Sequence, residues 1–385
     1  MVACAERPAE DYRHDLLDLA FSAVAKMPED PHFKNKARAQ YELVGCALKL
    51  DRPGWASTYA DRELYWQQGA AWADIALYYA QNGDRKAAGN ALSTAEAWLR
   101  QHEPAFIADE TEQSWRIARV KTKIIQAGIA LGREDYDPGF LEGLEAEDAA
   151  VLIEQQARLI AEGDGQAAFV LLQNLAGTGD FEAVRIAIDG LVDLYDRHYS
   201  DESFRSTIKD TIIERSANTP FAFRIDTLVK LGQTALAHGD AAEALKDATT
   251  AGTILEDQPR APRFRIPAAA GIATLRCRAG DRAAGLKELD ELLLLFDEQQ
   301  HLLLNIDQAG LLCSLAEAYH RVGETARALH LYERAIEAGQ INPNSRPRLD
   351  DLCRICCSLA AHGIEPTESL WRQLEEMNNN LGMPW

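Results

Sequence analysis

Cys353, Cys356 and Cys357, with His362 following on the same stretch, form the densest group of side chains able to bind a metal or exchange electrons. On a helix, spacings of three and four place them along one stripe, where small buried thiols are common and a tetrahedral ligand set is not. No second Cys or His pair lies at zinc-finger distance, so neither a metal nor a cofactor is expected. Cys4, Cys46, Cys277 and Cys313 bring the total to seven, an odd number scattered through the chain. That pattern is not a disulfide framework, and it suits a reducing cytoplasm.

Catalytic signatures are missing from the rest of the sequence. There is no His-Glu-x-x-His, no Gly-rich phosphate loop with Lys, no Gly-x-Ser-x-Gly elbow and no pair of Asp-rich metal boxes. The nine histidines stand apart, and single ones such as His198 or His320 read as satisfied residues rather than bases. The expectation is a protein that is not an enzyme. A helical-toroid enzyme is the remote alternative, because chance pairs of carboxylates could meet on a groove. Its chain would close on itself and its inward helices would concentrate acids and aromatics. Here Trp55, Trp66, Trp72, Trp98, Trp115, Trp371 and Trp385 spread out, with only Trp66 and Trp72 close together. At the start of the chain, Val2-Ala3-Cys4-Ala5 resembles the end of a bacterial lipoprotein processing site. It offers a lipid-anchored or periplasmic alternative to the cytoplasm if Cys4 follows a removed signal peptide.

Sixty Asp and Glu against forty Lys and Arg give a net charge of -20. Such a field repels nucleic acid and anionic membranes and favours solubility or basic partners. Two segments oppose it. One is Trp115, Arg116, Arg119, Lys121, Lys123, which holds no acid. The other runs from Arg260 through Arg263, Arg265, Arg276 and Arg278 to Arg282, and its prolines Pro259, Pro262 and Pro267 predict an extended basic loop leading into a basic helix.

The elements that must position these groups are announced by a recurring phrase. A small-residue helix end is followed by Gly and then an acid, as in Asn82-Gly83-Asp84, Glu162-Gly163-Asp164, His238-Gly239-Asp240, Ala279-Gly280-Asp281 and Val322-Gly323-Glu324; Gly363 ends another helix. Gly past a helix end takes the left-handed conformation cheaply, and the acid caps the next helix. Helices joined so tightly form antiparallel hairpins, and a row of hairpins forms a solenoid.

Within that phrase, Leu312, Leu315, Ala316, Tyr319, Gly323, Ala328, Tyr332 and Ala335 share a frame with Trp72, Ile75, Ala76, Tyr79, Gly83, Ala88, Leu92 and Ala95. Leu228, Leu231, Gly232, Gly239, Ala244, Ala248 and Ala251 fit it too. The spacing resembles the tetratricopeptide repeat, although the period is longer and the closing prolines, Pro104, Pro259 and Pro343, fall late. The resemblance implies an all-α, right-handed α-solenoid of about nine hairpins with lengthened helices, and a concave groove lined by first helices. It also implies a protein or peptide partner in that groove. Arg119 and Lys123 fall at groove positions and resemble half of a carboxylate clamp, with Asp74 standing where an Asn would be expected. The expected partner-binding residues are Arg119, Lys123 and Gln126, with Lys230, Gln233, Arg278 and Arg321 as a second basic island.

Hairpins are predicted at about 10–26 with 33–50, 57–82 with 84–102, 110–131 with 134–146, 148–162 with 165–177, and 180–198 with 201–216. They continue at 222–238 with 240–256, 266–279 with 281–298, 305–322 with 324–339, and 347–362 with 366–380. Residues 1–9 read as a disordered N-terminus and 10–385 as one solenoid, with a possible seam near 133–180 and an uncertain repeat frame over 133–216. No apolar run reaches membrane-spanning length, so neither membrane insertion nor nucleic acid is expected. A peptide-binding scaffold leads, and a structural subunit of a homo- or hetero-oligomeric assembly is the alternative.

Overall fold

A computed structural model describes residues 11–63, 65–107, 114–133, 146–258 and 261–385. Among them every regular element is helical. Eighteen α-helices follow in chain order: α1 Asp11–Ala25, α2 Phe33–Lys49, α3 Pro53–Ala60, α4 Trp66–Gln81, α5 Arg85–Ile107, α6 Ser114–Ala130, α7 Ala146–Ile160, α8 Gly165–Ala176 and α9 Phe181–Arg197. The rest are α10 Glu202–Ser216, α11 Phe221–Ala237, α12 Ala241–Glu256, α13 Pro262–Arg278, α14 Arg282–Gln299, α15 Asn305–Arg321, α16 Thr325–Gln340, α17 Ser345–His362 and α18 Glu368–Asn379. The hairpin array expected from the sequence is therefore present. The predicted 1–9, the helix at 134–146 and Cys4 fall outside the described residues, apart from the single position 146.

The punctuation works as its chemistry requires. At Gly239, φ is +80°, and the wrapped bonds Gly239 N–H to Leu236 O (3.0 Å) and Asp240 N–H to Ala235 O (2.8 Å) close α11. The Asp240 carboxylate then accepts from Glu243 N–H at 3.0 Å, opening α12 one residue later. Gly83, Gly280, Gly323 and Gly363 also have positive φ, and Asp84, Asp164 and Asp281 cap their helices in the same way. Two positions depart. Gly163 is not among the positive-φ glycines, because Asp164 N–H bonds back to Ile160 O and continues the helical turn. Glu324 makes no side-chain cap, its carboxylate being taken by Arg282 at 2.7 Å.

The small residues of the shared frame lie at helix crossings. Ala76, Ala88, Ala95, Ala244, Ala248, Ala316, Ala328 and Ala335 are all fully buried. Gly232 lets α13 approach α11 so closely that a Cβ there would stand 2.4 Å from a Leu275 methyl. Two details correct the sequence reading. The helix predicted over 57–82 is broken into α3, which ends at Ala60, and α4, which begins at Trp66. The basic loop before Arg276 is helix instead: Pro262 occupies the first helical turn, where its fixed φ suits, and Pro267 is carried inside α13 at the loss of one backbone bond.

The chain divides into two compact units, residues 1–55 with 221–385, and residues 56–220. The divisions lie at 55/56 and 220/221. In the second unit, α4, α6, α7 and α9 pack in sequence as one row, with α5, α8 and α10 behind. In the first, α11, α13, α15 and α17 make a similar row, and α1 packs against α17 as its next member. Just beyond α1, Lys26 Nζ donates to Asn378 O of α18 at 2.8 Å. The first and last hairpins thus meet inside one unit.

Candidate functional site

The break between α3 and α4 creates the most unusual local chemistry of the second unit. Arg62 and Glu63 close a turn through their N–H groups on Tyr59 O and Ala60 O. Tyr65 then enters α4 with φ +70° and ψ -161°, a region open to glycine but strained for a tyrosine by about 1–3 kcal/mol. Its ring is held in place by Arg116 of α6. That guanidinium lies 5.1 Å from the centroid of Tyr65 and 5.1 Å from that of Trp115, and its Nη1 donates to the Tyr65 hydroxyl. Trp115 in turn meets Trp66 edge to face at 5.7 Å. Arg116 is buried, whereas Trp115 is 40% exposed. Tyr65, Trp66 and Arg116 therefore brace Trp115, whose exposed edge stands at the start of the row.

Beside it lies Glu63, 4% exposed, with neither carboxyl oxygen hydrogen-bonded among the described residues. Burial, and secondarily the charge of Asp74, push its carboxyl up to about 9, so it is neutral at pH 7. Asp74 itself accepts from Lys123 Nζ at 2.7 Å. Arg119 makes a two-pronged pair with Glu147, both bonds 2.7 Å, with Asp148 3.9 Å away. The hydrogen bonds from Arg119, working against burial and helped by its charge, hold the Glu147 carboxyl below its ordinary value.

Two of the residues anticipated from the sequence thus share the face with this cluster, but as members of internal ion pairs. Asp74, the departure from the clamp pattern, is what engages Lys123. Gln126 is half-buried further along α6. In the other unit Lys230 pairs with Asp226 at 3.0 Å on its own helix. Arg321 contacts Glu317 at 3.7 Å and His362 Nε2 at 3.0 Å. Gln233 is half-buried on α11, and Arg278 is exposed at the end of α13. Lys230 and Gln233, Arg278 and Arg321 stand on consecutive helices of one row, yet Lys230 and Arg321 have carboxylates of their own. Arg119, Lys123, Lys230 and Arg321 each have a carboxylate beside them.

The sequence reading overlooked Glu63 and Tyr65. Their roles depend on the break between α3 and α4 and on Arg116, fifty-one residues from Tyr65. Trp115 and Arg116 were visible only as part of an acid-free segment.

No family model and no curated protein sequence matches the chain. Its described residues form an array of sequentially packed helices. Among solved structures it is similar to a circular tandem repeat protein with novel repeat topology and enhanced subunit contact surfaces, at 15% identity and a TM-score of 0.27, covering 96% of this chain and 94% of that one. So loose an overlap adds nothing about function.

Proposed function

We propose that the protein is a scaffold that binds a protein or peptide partner on the α4–α6 face of its second unit, with Trp66, Trp115 and Arg116 as the anchor. One observation supports this reading above the others. Trp115 keeps 40% of its surface exposed while Trp66, Arg116 and the strained Tyr65 fix its position. Trp, Tyr and Arg are the residue types that contribute most to protein interfaces, and a side chain ordered before binding loses little entropy on contact. The net charge of -20 favours a basic partner through long-range attraction.

Catalysis is not part of the proposal. Glu63 is sealed at 4% exposure and Asp74 is held by Lys123, so neither carboxyl is presented to a substrate. Among the described residues no helix is long and apolar enough to cross a membrane.

The test is to purify the protein with its partner from the native source, then measure affinity for Trp115→Ala and Trp66→Ala. Trp115→Ala should weaken binding at least tenfold, the effect of an anchor worth more than about 1.4 kcal/mol, with folding intact by circular dichroism. Unchanged affinity in both variants would remove the site. A structural subunit is the second reading, favoured by Leu302, Leu304 and Ile306, which are 70%, 61% and 53% exposed around the start of α15. A mass in solution that rises with concentration, and falls back in Leu304→Glu, would support that reading instead.

A further inference from the structure

Four of the cysteines gather where the ends of the array meet. Cys46 stands on α2 in the first hairpin, and Cys353, Cys356 and Cys357 stand on α17 in the last. Their surroundings separate them. The Cys353 thiol donates to Ala20 O of α1 at 3.9 Å. Cys356 is fully buried. Cys46 instead faces Cys357: its thiol donates to the Cys357 carbonyl oxygen at 3.9 Å, and the two side chains interact. The two residues are 311 positions apart in sequence. Cys46 is 8% exposed and Cys357 is half-buried.

We propose that Cys46 and Cys357 are an oxidisable pair, a modification site at which hydrogen peroxide converts two thiols into a disulfide joining the first hairpin to the last. Cys46 is the attacking sulfur. A hydrogen bond from the Cys357 side chain, helped by the charge of Lys49 and opposed by burial, holds its thiol below the ordinary range. The same hydrogen bond, with burial, keeps Cys357 protonated. In the first step the Cys46 thiolate attacks one peroxide oxygen. The O–O bond breaks, two electrons pass from sulfur to oxygen, and Cys46 sulfenic acid and hydroxide result. In the second the Cys357 sulfur attacks the Cys46 sulfur, the S–O bond breaks and the S–S bond forms. Hydroxide leaves and combines with the Cys357 proton as water. Two thiols and one peroxide thus yield one disulfide and two waters.

The full-length protein is treated with hydrogen peroxide, quenched with catalase, and its thiols are counted after denaturation. Two of the seven thiols should be lost and restored by reductant. Digestion of the unaltered protein should give one linked peptide joining Cys46 to Cys357. Because this mapping uses the native sequence, it does not depend on any variant folding. In Cys357→Ser the intermediate has no resolving thiol, so a dimedone adduct should form at Cys46 when the trap is added in denaturant, whereas Cys353→Ser should cross-link normally. The oxidised protein should melt at a higher temperature than the reduced one, because the bridge ties the ends of a long segment. Retention of all seven thiols, or a linked peptide containing Cys353 or Cys356 in place of Cys357, overturns the proposal.

Discussion

Replacing Glu63 with Gln should make the protein more stable at neutral pH, and by an amount that depends on pH in a defined way. The carboxyl ionises near 4.5 when the chain is unfolded and near 9 when it is folded. Between those values the folded state retains a proton that the unfolded state gives up. The contribution of the neutral acid is therefore complete below pH 4.5 and is lost as pH rises toward 9, at about 1.4 kcal/mol per pH unit. From pH 4.5 to pH 7 the loss comes to about 3 kcal/mol, a large share of the 5–15 kcal/mol typical of a folded domain. Gln has the same shape, cannot ionise, and breaks no hydrogen bond, since neither Glu63 oxygen has a partner among the described residues. Urea unfolding of both proteins at pH 5, 6, 7 and 8 measures the difference. Tryptophan fluorescence suits the purpose because Trp66, Trp72, Trp98 and Trp115 lie in the same unit as Glu63. The gap should be small at pH 5 and widen steadily to about 3 kcal/mol by pH 7. Other buried acids such as Asp351, pushed up to about 7 by burial, titrate equally in both proteins and cancel. A gap that stays constant with pH would refute the reasoning, because it would mean that Glu63 is already ionised in the folded state.

Two further predictions concern packing. Ala328 is fully buried at a helix crossing, so Ala328→Leu should cost about 1–3 kcal/mol and lower the thermal midpoint clearly. A Cβ on Gly285 would stand 2.6 Å from the Ala273 carbonyl oxygen and 3.0 Å from the Cys277 nitrogen, backbone atoms that cannot swing aside. Gly285→Ala should therefore destabilise, while Gly89→Ala, with nothing within 4 Å in the second turn of α5, should stabilise by about 0.5–1 kcal/mol; thermal melts of the pair distinguish the two.

The helices could be read from the sequence because their boundaries are local chemistry. A Gly-Asp pair contains both the left-handed closure and the next cap, as at Gly239-Asp240. Gly163-Asp164 shows the limit, since its cap forms without the left-handed turn. Buried alanines such as Ala244 and Ala335 were legible for a related reason, their three- and four-residue spacing marking one helix face. The site was not legible in this way. Arg119 and Lys123 could be assigned to a face, but their partners Glu147 and Asp74 are 28 and 49 residues away, and only packing brings them into reach. Glu63 lies in a turn with no periodicity to expose it, and Tyr65 adopts a backbone conformation that its residue type disfavours. Pro267, read as a helix breaker, is accommodated one turn into α13, where its neighbours hold the helix together.

The meeting of α1 with α17 also sets an order in time. Residues 56–220 are continuous, so that unit is complete once its own stretch has been synthesised. The other unit is not, because Cys357 is made 311 residues after Cys46. At about 5–20 residues per second, the first hairpin waits roughly 15–60 s for the helix that covers it. Through that interval the apolar faces of α1 and α2, including Leu16, Leu17, Val24 and Leu43, which end fully or almost fully buried, have no α17 to pack against. The nascent chain is thus most exposed to aggregation at its oldest end, and a chaperone that shields the first fifty residues would assist the last step of assembly rather than the first.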